Sequence, residues 1–418
     1  MTNPVAEPQP NLERLMADLT TLATFVEPDT PGWTRRFPSD AYLAGRRWLR
    51  RRMAEAGLET HIDAVGNLFG MRAGSADLPP ILLGSHTDTV LGGGRYDGTL
   101  GVLGALEVAR ALSEAAIPMR YPLLIADFLA EEANDFGVSC VGSRGLVNGL
   151  PDEWLARSHA GMTLAEAITA GGGITQKMTA PLGQPGGYAA CPEMPIEQGP
   201  GLVARGAALG AVSGIVGIRR AIIELEGRPD HAGTAPMDLR HDALAAAAVL
   251  ILAVEERCRA TPGCVGTVGR LDVHPNQSNV VPGRVTLFAE VRSLDISLIA
   301  GIWHDILDEA RAAADSRSVT LHIATQTDAA PATPPPWLFE QVFSACRIHD
   351  PAAIGIPSGA GHDTMHLAHV APAAMIFVPS IGGRSHCPEE DTTPAQLRTG
   401  VAAPAPGAGS TSKPPLNP

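Results

Sequence analysis

Up to about residue 130, apolar positions recur with two alternating periods. NLERLMADLTTLATFV and AYLAGRRWLRRRMAEAGLE carry apolar residues at helical spacing, and Gly57 suits the C-terminal cap of the second. THIDAVGNLFGMRAG and PPILLGSHTDTV read as short strands. TLGVLGALEVARALSEA reads as a buried helix, and YPLLIADFLAEEAND as a buried strand with an acidic tip. Helices alternating with apolar strands predict an α/β core with a partly parallel sheet. Ligands in such sheets gather at the carboxyl ends of strands, where both His86 and Glu131 fall.

Residues 151–195 are Gly-rich and give no clear period. From about Ile215 the texture changes. RRAIIELEGRPDHAG predicts a strand and turn, and ALAAAAVLILAV a helix led by Asp242. Two strands joined by a turn follow, then the helical SLIAGIWHDILDEARAAADSR. This predicts a small α+β domain, residues 213–326, inserted in the α/β domain. The α/β domain would comprise residues 11–212 and 327–400. The Pro-rich residues 401–418 hold little to bury and read as a disordered tail.

Composition narrows the class. The chain has 418 residues, a 45% hydrophobic fraction, 4% aromatics, 45 Gly and 36 Pro, which suits a loop-rich globular enzyme. Its net charge is −13, and without a basic stripe nucleic acid is not an expected partner. The apolar run Ala243–Val254 is too short to span a bilayer. No C-x-x-C pair occurs among Cys140, Cys191, Cys258, Cys264, Cys346 and Cys387, and the N-terminus has no signal pattern. A reducing cytoplasm is the expectation.

His86 and Asp88 share a face if their segment is extended, and a Gly-rich loop can return Asp97 to them. Imidazole with carboxylates is a zinc or manganese ligand set. A polar turn with a hydrogen-bonded His fits this segment equally well. Glu131 and Glu132 diverge as neighbours, so one can bind metal while the other takes a proton from water; a solvated acidic turn is the alternative. His231 lies in a Gly-rich turn. Asn279 and Arg292 could grip a carboxylate or belong to a surface hairpin. His362, Asp363 and His386 lie far along the chain, where a closed metal site needs a further ligand.

Taken together, GSHTDTV…GGRYDG, EE with GVS…GSR, IEQGP, DHAGTAPMDLRHDAL, NVVPGRV, EVRS, SGAGHD and IFVPS…SHCPEE resemble a known family. It is the metal-dependent amidohydrolase and aminoacylase superfamily of two-domain peptidases. The similarity is to its N-carbamoyl-L-amino-acid hydrolase, beta-ureidopropionase and allantoate amidohydrolase branch. The resemblance implies an α/β catalytic domain with two divalent ions (zinc or manganese, with cobalt or nickel also suited) and an inserted α+β domain that forms a homodimer. It implies that His86 binds the first metal, Asp97 bridges, and Glu132 and His386 bind the second. Glu131 would be the general base, with Asp88 behind the ligands, and His231 would steady the oxyanion. Gln198, Asn279 and Arg292 would contact a small-molecule substrate, Arg292 through its free carboxylate. The backbone of Gly359, Ala360 and Gly361 would line the pocket.

Two features depart from that pattern. The family's first-metal histidine before IEQGP is Pro195 here, which has no donor for a metal. Glu193 is the nearest substitute, on the same face if the segment is extended. A weakened first site and reduced activity are expected. Relatives also end in an amphipathic helix, which the Pro-rich tail replaces. The expected activity is removal of a carbamoyl or ureido group from an amino-acid-like carboxylic acid. An acyl-amino-acid amidase or dipeptidase, and a metal-poor binding protein, are the other readings.

Overall fold

The computed structural model describes residues 8–403. They divide into two compact units: Gly214–Ala332 is one, and the chain on either side of it forms the other. The larger unit opens with α1 (Leu12–Leu22) and α2 (Asp40–Glu55), then β1 (Glu59–Ile62), β2 (Leu68–Arg72) and β3 (Ile81–His86). α3 (Thr99–Glu114), β4 (Leu123–Phe128) and α4 (Val141–Asn148) follow. The sheet order is β1-β2-β4-β3, with β3 and β4 parallel. β4 is buried along its whole length and β3 nearly so, as expected of mainly apolar strands covered on both faces.

Register decides where the chemistry lands. His86 pairs with Phe128, so both strands end together and Glu131 emerges three residues on, beside His86. α3 is buried from Thr99 to Leu112 despite two charged residues. Those charges dock α1. Glu107 accepts from Arg14 at 2.7 Å and Arg110 donates to Asp18 at 2.7 Å. On α2, Arg46 Nε donates to Asp127 Oδ2 at 2.8 Å, a buried pair that fixes the helix on β4.

The stretch without a readable period contains short helices at Asp152–Leu155 and Leu164–Ala170 before β5 (Cys191–Glu193). β6 (Gly210–Ile215) leads out of the unit. The second unit contains β7 (Gly217–Glu226), α5 (Ala243–Ala260), β8 (Cys264–His274), β9 (Arg284–Ser293), α6 (Ile296–Asp315) and β10 (Thr320–Ala329). Its sheet is antiparallel in the order β8-β9-β7-β10. Burial alternates along β9, with Val285, Leu287, Ala289 and Val291 inside. Ile299, Trp303 and Ile306 of α6 and Ala246, Leu250 and Val254 of α5 share that core, so both helices cover one face. β10 continues past residue 326 to Ala329.

The larger unit resumes with α7 (Pro336–His349), β11 (Ile354–Ser358), α8 (Asp363–Leu367) and β12 (Ala373–Phe377). Its second sheet runs β11-β6-β12-β5, and a parallel bridge from Ala190 to Ile81 joins it to the first. A closing helix is present after all. α9 (Pro394–Ala402) starts at a capping box between Thr393 and Gln396 and buries Leu397 and Val401 in the core of α3. Val401 and Ala402 therefore belong to a helix, not to the expected tail, whose residues 404–418 lie outside the described ones. The six cysteines are free thiols, and no helix among the described residues is long and apolar enough to cross a membrane.

Removing one member of a buried ion pair strands the other charge and costs about 3–5 kcal/mol. Arg46→Ala should therefore lower the urea midpoint of the larger unit sharply, whereas exposed Arg51→Ala should leave it in place.

Candidate active site

His86 ends β3 and is buried. Its Nδ1 donates to the Asp88 carbonyl at 3.1 Å, which leaves Nε2 with the lone pair, the arrangement of a ligating imidazole. Nε2 lies 3.5 Å from Glu131 Oε2. The Asp88 carboxylate accepts the Glu131 amide at 3.2 Å and the Glu132 amide at 3.0 Å. One buried aspartate thus fixes a histidine ring and the backbone of both glutamates.

Asp97 returns to the strand ends through the Gly-rich loop. A Cβ on Gly98 would sit 2.4 Å from the His86 ring, and its φ is +64°. Only glycine lets the backbone press against that imidazole. Asp97 Oδ2 lies 3.2 Å from His386 Nε2, which is 3.3 Å from Glu132 Oε1. One donor atom from each of Asp97, Glu132 and His386 falls within 4.8 Å of the others. This is the one such donor group among the described residues. Two carboxylates and one imidazole are the ligand number of an open catalytic site.

Electrostatics fit a cation there. The hydrogen bond to Asp97 pushes the His386 pKa up to about 9. Burial, then the Asp97 charge, pushes Glu132 up to about 7. Glu131 stands well above the carboxylate range through burial, with Asp363, Glu132 and Asp88 adding to it. Burial opposes a charged His86, yet Glu131, Asp88 and Asp97 outweigh it and raise its pKa. So much buried charge of one sign is costly without a partner ion. Four non-glycine residues with left-handed φ also gather here: Ala130, Cys140, Gln198 and His386. Strain of that kind persists where surrounding contacts impose it.

Other expected residues fall as follows. Gln198 Nε2 donates to Asp97 Oδ1 at 3.0 Å, so it also steadies a ligand. Glu193 does not join the donor group. Its Oε1 accepts from Ser85 Oγ at 2.8 Å and its Oε2 from Thr364 N and Oγ1. Those donors hold the carboxylate between β3 and α8. Gly359, Ala360 and Gly361 form the loop after β11, where Ser358 Oγ donates to the Ala360 carbonyl at 2.9 Å. In the second unit, His231 pairs with Val280, and Ala232 N donates to Asn279 O at 2.9 Å, which brings His231 and Asn279 to one turn. Arg292 faces away from the helices, and its Nε donates to Glu290 Oε1 at 2.8 Å.

Two contributors carried no role in the sequence reading. Glu390 is buried and its Oε1 accepts from Tyr96 N at 2.9 Å and Asp97 N at 3.0 Å. Its Oε2 accepts from Ser385 Oγ at 2.8 Å, tying the Asp97 loop to the His386 loop. Cys140 Sγ donates to Glu131 Oε1 at 3.4 Å. Glu390 stands within SHCPEED, but only the fold reveals which amides it meets.

The fold and this donor group define a two-unit α/β hydrolase of the metal-dependent kind. Residues 57–405 match Peptidase family M20/M25/M40. The chain belongs to that family. It is 35% identical over 391 residues to the N-carbamoyl-L-amino acid amidohydrolase of Geobacillus stearothermophilus, covering 93% of this chain and 96% of that one. It is 34% identical to the allantoate amidohydrolase of Escherichia coli K12, covering 92% and 94%. A crystal structure of an amidase of the hydantoinase/carbamoylase family from Burkholderia multivorans superposes with a TM-score of 0.88. It is 33% identical, with 95% and 97% of the two chains covered.

Gly98→Ala should displace the His86 ring. The variant is expected to fold with a modest loss of stability, about 1–3 kcal/mol for overpacking, and to bind less metal per chain. Unchanged metal content by elemental analysis would show that the loop has room to spare.

Proposed function

We propose that the chain hydrolyses a linear C–N bond of an N-carbamoyl-L-amino acid or an allantoate-like acid. The observation that carries this is the Asp97–Glu132–His386 donor group with Glu131 beside it, in a chain of the family just named. Two divalent ions, zinc or manganese, are the cofactors in this reading. When bound they acidify water and polarise the carbonyl it attacks. Glu132, His386 and Asp97 would hold one ion, and His86 would serve the other.

Glu131 takes a proton from the attacking water and passes it to the leaving nitrogen. Burial raises the affinity of its carboxylate for a proton, so once it has taken that proton it can hold it between the two steps. Cys140 and the Glu131 amide bond to Asp88 keep the carboxylate in place. His231 is assigned to the oxyanion, Gln198 and Asn279 to polar substrate contacts, and Arg292 to the substrate carboxylate. Arg292 shares its guanidinium with Glu290, so the substrate competes for it. The 359–361 loop lines the pocket. A homodimer formed through residues 213–326, in a cytoplasmic setting, completes the reading.

A panel decides the bond. With metal supplied in excess, N-carbamoyl-L-amino acids and allantoate should release ammonia, whereas N-acetyl-L-amino acids and dipeptides should release little amine. The reverse ranking would make the protein an acyl-amino-acid amidase or dipeptidase. No turnover and no bound metal would make it a binding protein, the reading that Pro195 favours.

Glu131→Gln and Glu132→Gln should separate in one measurement. Loss of a general base costs about 10²–10⁴-fold in rate. Glu131→Gln should lose that much turnover and keep its metal, while Glu132→Gln should lose metal as well. If Glu131→Gln alone stripped the protein of metal, the two roles would be exchanged.

A further inference from the structure

We propose that Arg220 and Glu290 set how tightly Arg292 holds a substrate carboxylate: when the substrate takes Arg292, Glu290 passes to Arg220. This rests on the hydrolase reading above, in which Arg292 meets that carboxylate.

The register of the second unit's sheet puts the three side chains on one face. Val285, Leu287, Ala289 and Val291 of β9 turn towards the helices, so Glu290 and Arg292 stand on the opposite face, two positions apart. Glu290 lies directly across from Arg220 of β7, at the separation where cross-strand charges interact. It therefore sits between two guanidinium groups and gives one oxygen to each. Its Oε2 accepts from Arg220 Nε at 2.9 Å, and its Oε1 from Arg292 Nε at 2.8 Å. The adjacent Arg219 does not share in this, because Asp328 holds it through hydrogen bonds of 2.8 and 2.7 Å.

The side chains of Arg292 and Glu290 are 24% and 27% exposed, and that of Arg220 is 58% exposed. Burial works against a charged Glu290, yet hydrogen bonds from Arg220 and Arg292 outweigh it and hold its pKa below the usual carboxylate range. Glu290 is thus an anion at neutral pH. A second carboxylate arriving at Arg292 meets that like charge, and like charges brought together are penalised. Were Arg292 its sole partner, Glu290 would lose its counter-ion whenever substrate bound. Arg220 removes that cost, since Glu290 keeps one ion pair after releasing the other. Arg220 and Glu290 also line a depression on this face, which gives the pair room to turn away from Arg292. Both are positioning residues, acting on the substrate through Arg292.

The test is a double-mutant cycle on the full-length protein with metal in excess. Its substrates are an N-carbamoyl-L-amino acid and the uncharged amide of the same acid. Arg220→Ala leaves Glu290 wholly to Arg292 and should raise KM for the acid about fivefold, the upper worth of a partly exposed ion pair. kcat should stay unchanged, as it does when a binding interaction alone is weakened. Glu290→Gln should lower KM. The double variant Arg220→Ala/Glu290→Gln should show no rise, because Arg220 acts only through Glu290, and Arg220→Lys should fall between Arg220→Ala and the unmodified protein. Arg220→Ala should leave kcat/KM for the amide unchanged. An unchanged KM in Arg220→Ala, a rise that persists in the double variant, or an equal effect on the amide would overturn the proposal. So would a higher KM in Glu290→Gln, which would make Glu290 a support for Arg292 and not its competitor. Arg292→Lys checks the reading beneath: an unchanged KM for the acid there would remove Arg292 from the site and the proposal with it, while hydrolysis stood. No turnover of any N-carbamoyl acid would overturn both.

Discussion

Asp88 holds the site together. Its carbonyl takes the Nδ1 proton of His86, and its two carboxylate oxygens take the amides of Glu131 and Glu132. Three side chains with chemistry are thus set by one residue that need not touch substrate. The arrangement depends on the parallel pairing of β3 and β4, which brings both strand ends to one edge. It also depends on the Arg46–Asp127 pair beneath them. Asp127 accepts from Arg46 and from Thr87, the residue between His86 and Asp88. The buried polar groups form one connected network, so each member's cost of burial is shared.

That network explains what the sequence disclosed. β3 and β4 open as apolar runs, residues 81–83 and 123–126, and end in His86 and shortly before Glu131, so strand type and ligand position could both be read from local pattern. The second unit was legible for a different reason: alternation along Arg284–Ser293 and the apolar runs of α5 and α6 give a face-covered antiparallel sheet. Residues 151–195 were not legible, because their helices are short and separated by Gly and Pro. α9 was missed through its neighbourhood. Its PAQLRTGVA segment has few apolar residues, and Leu397 and Val401 gain their meaning only from the α3 surface they cover.

Within the site, legibility followed sequence distance. His86 and Asp97 lie on one loop, so their convergence could be inferred. Glu390 contributes through amides nearly three hundred positions away, and no local signal announces that. Glu193 shows the converse error. Its spacing from Pro195 suggested a substitute ligand, but the sheet places it opposite Ser85, and Thr364 holds the other oxygen. Periodicity assigns a face and leaves the neighbour on that face undetermined.

Pro195 then acquires a physical reading. The residue is buried, and its carbonyl accepts from Val378 N at 3.2 Å. Its backbone is therefore held beside β12 whatever its side chain does. A proline fits because that position needs no amide donor and its φ suits an extended stretch. The fold is indifferent to the loss of a side-chain donor there, whereas the charge balance is not. Glu131, Glu132, Asp97, Asp88 and Asp363 are all buried near the imidazoles of His86, His362 and His386, which carry at most one positive charge each. Removing one neutral ligand changes none of that excess. The electrostatic demand for divalent cations survives the substitution, and what changes is the geometry with which the chain can meet it.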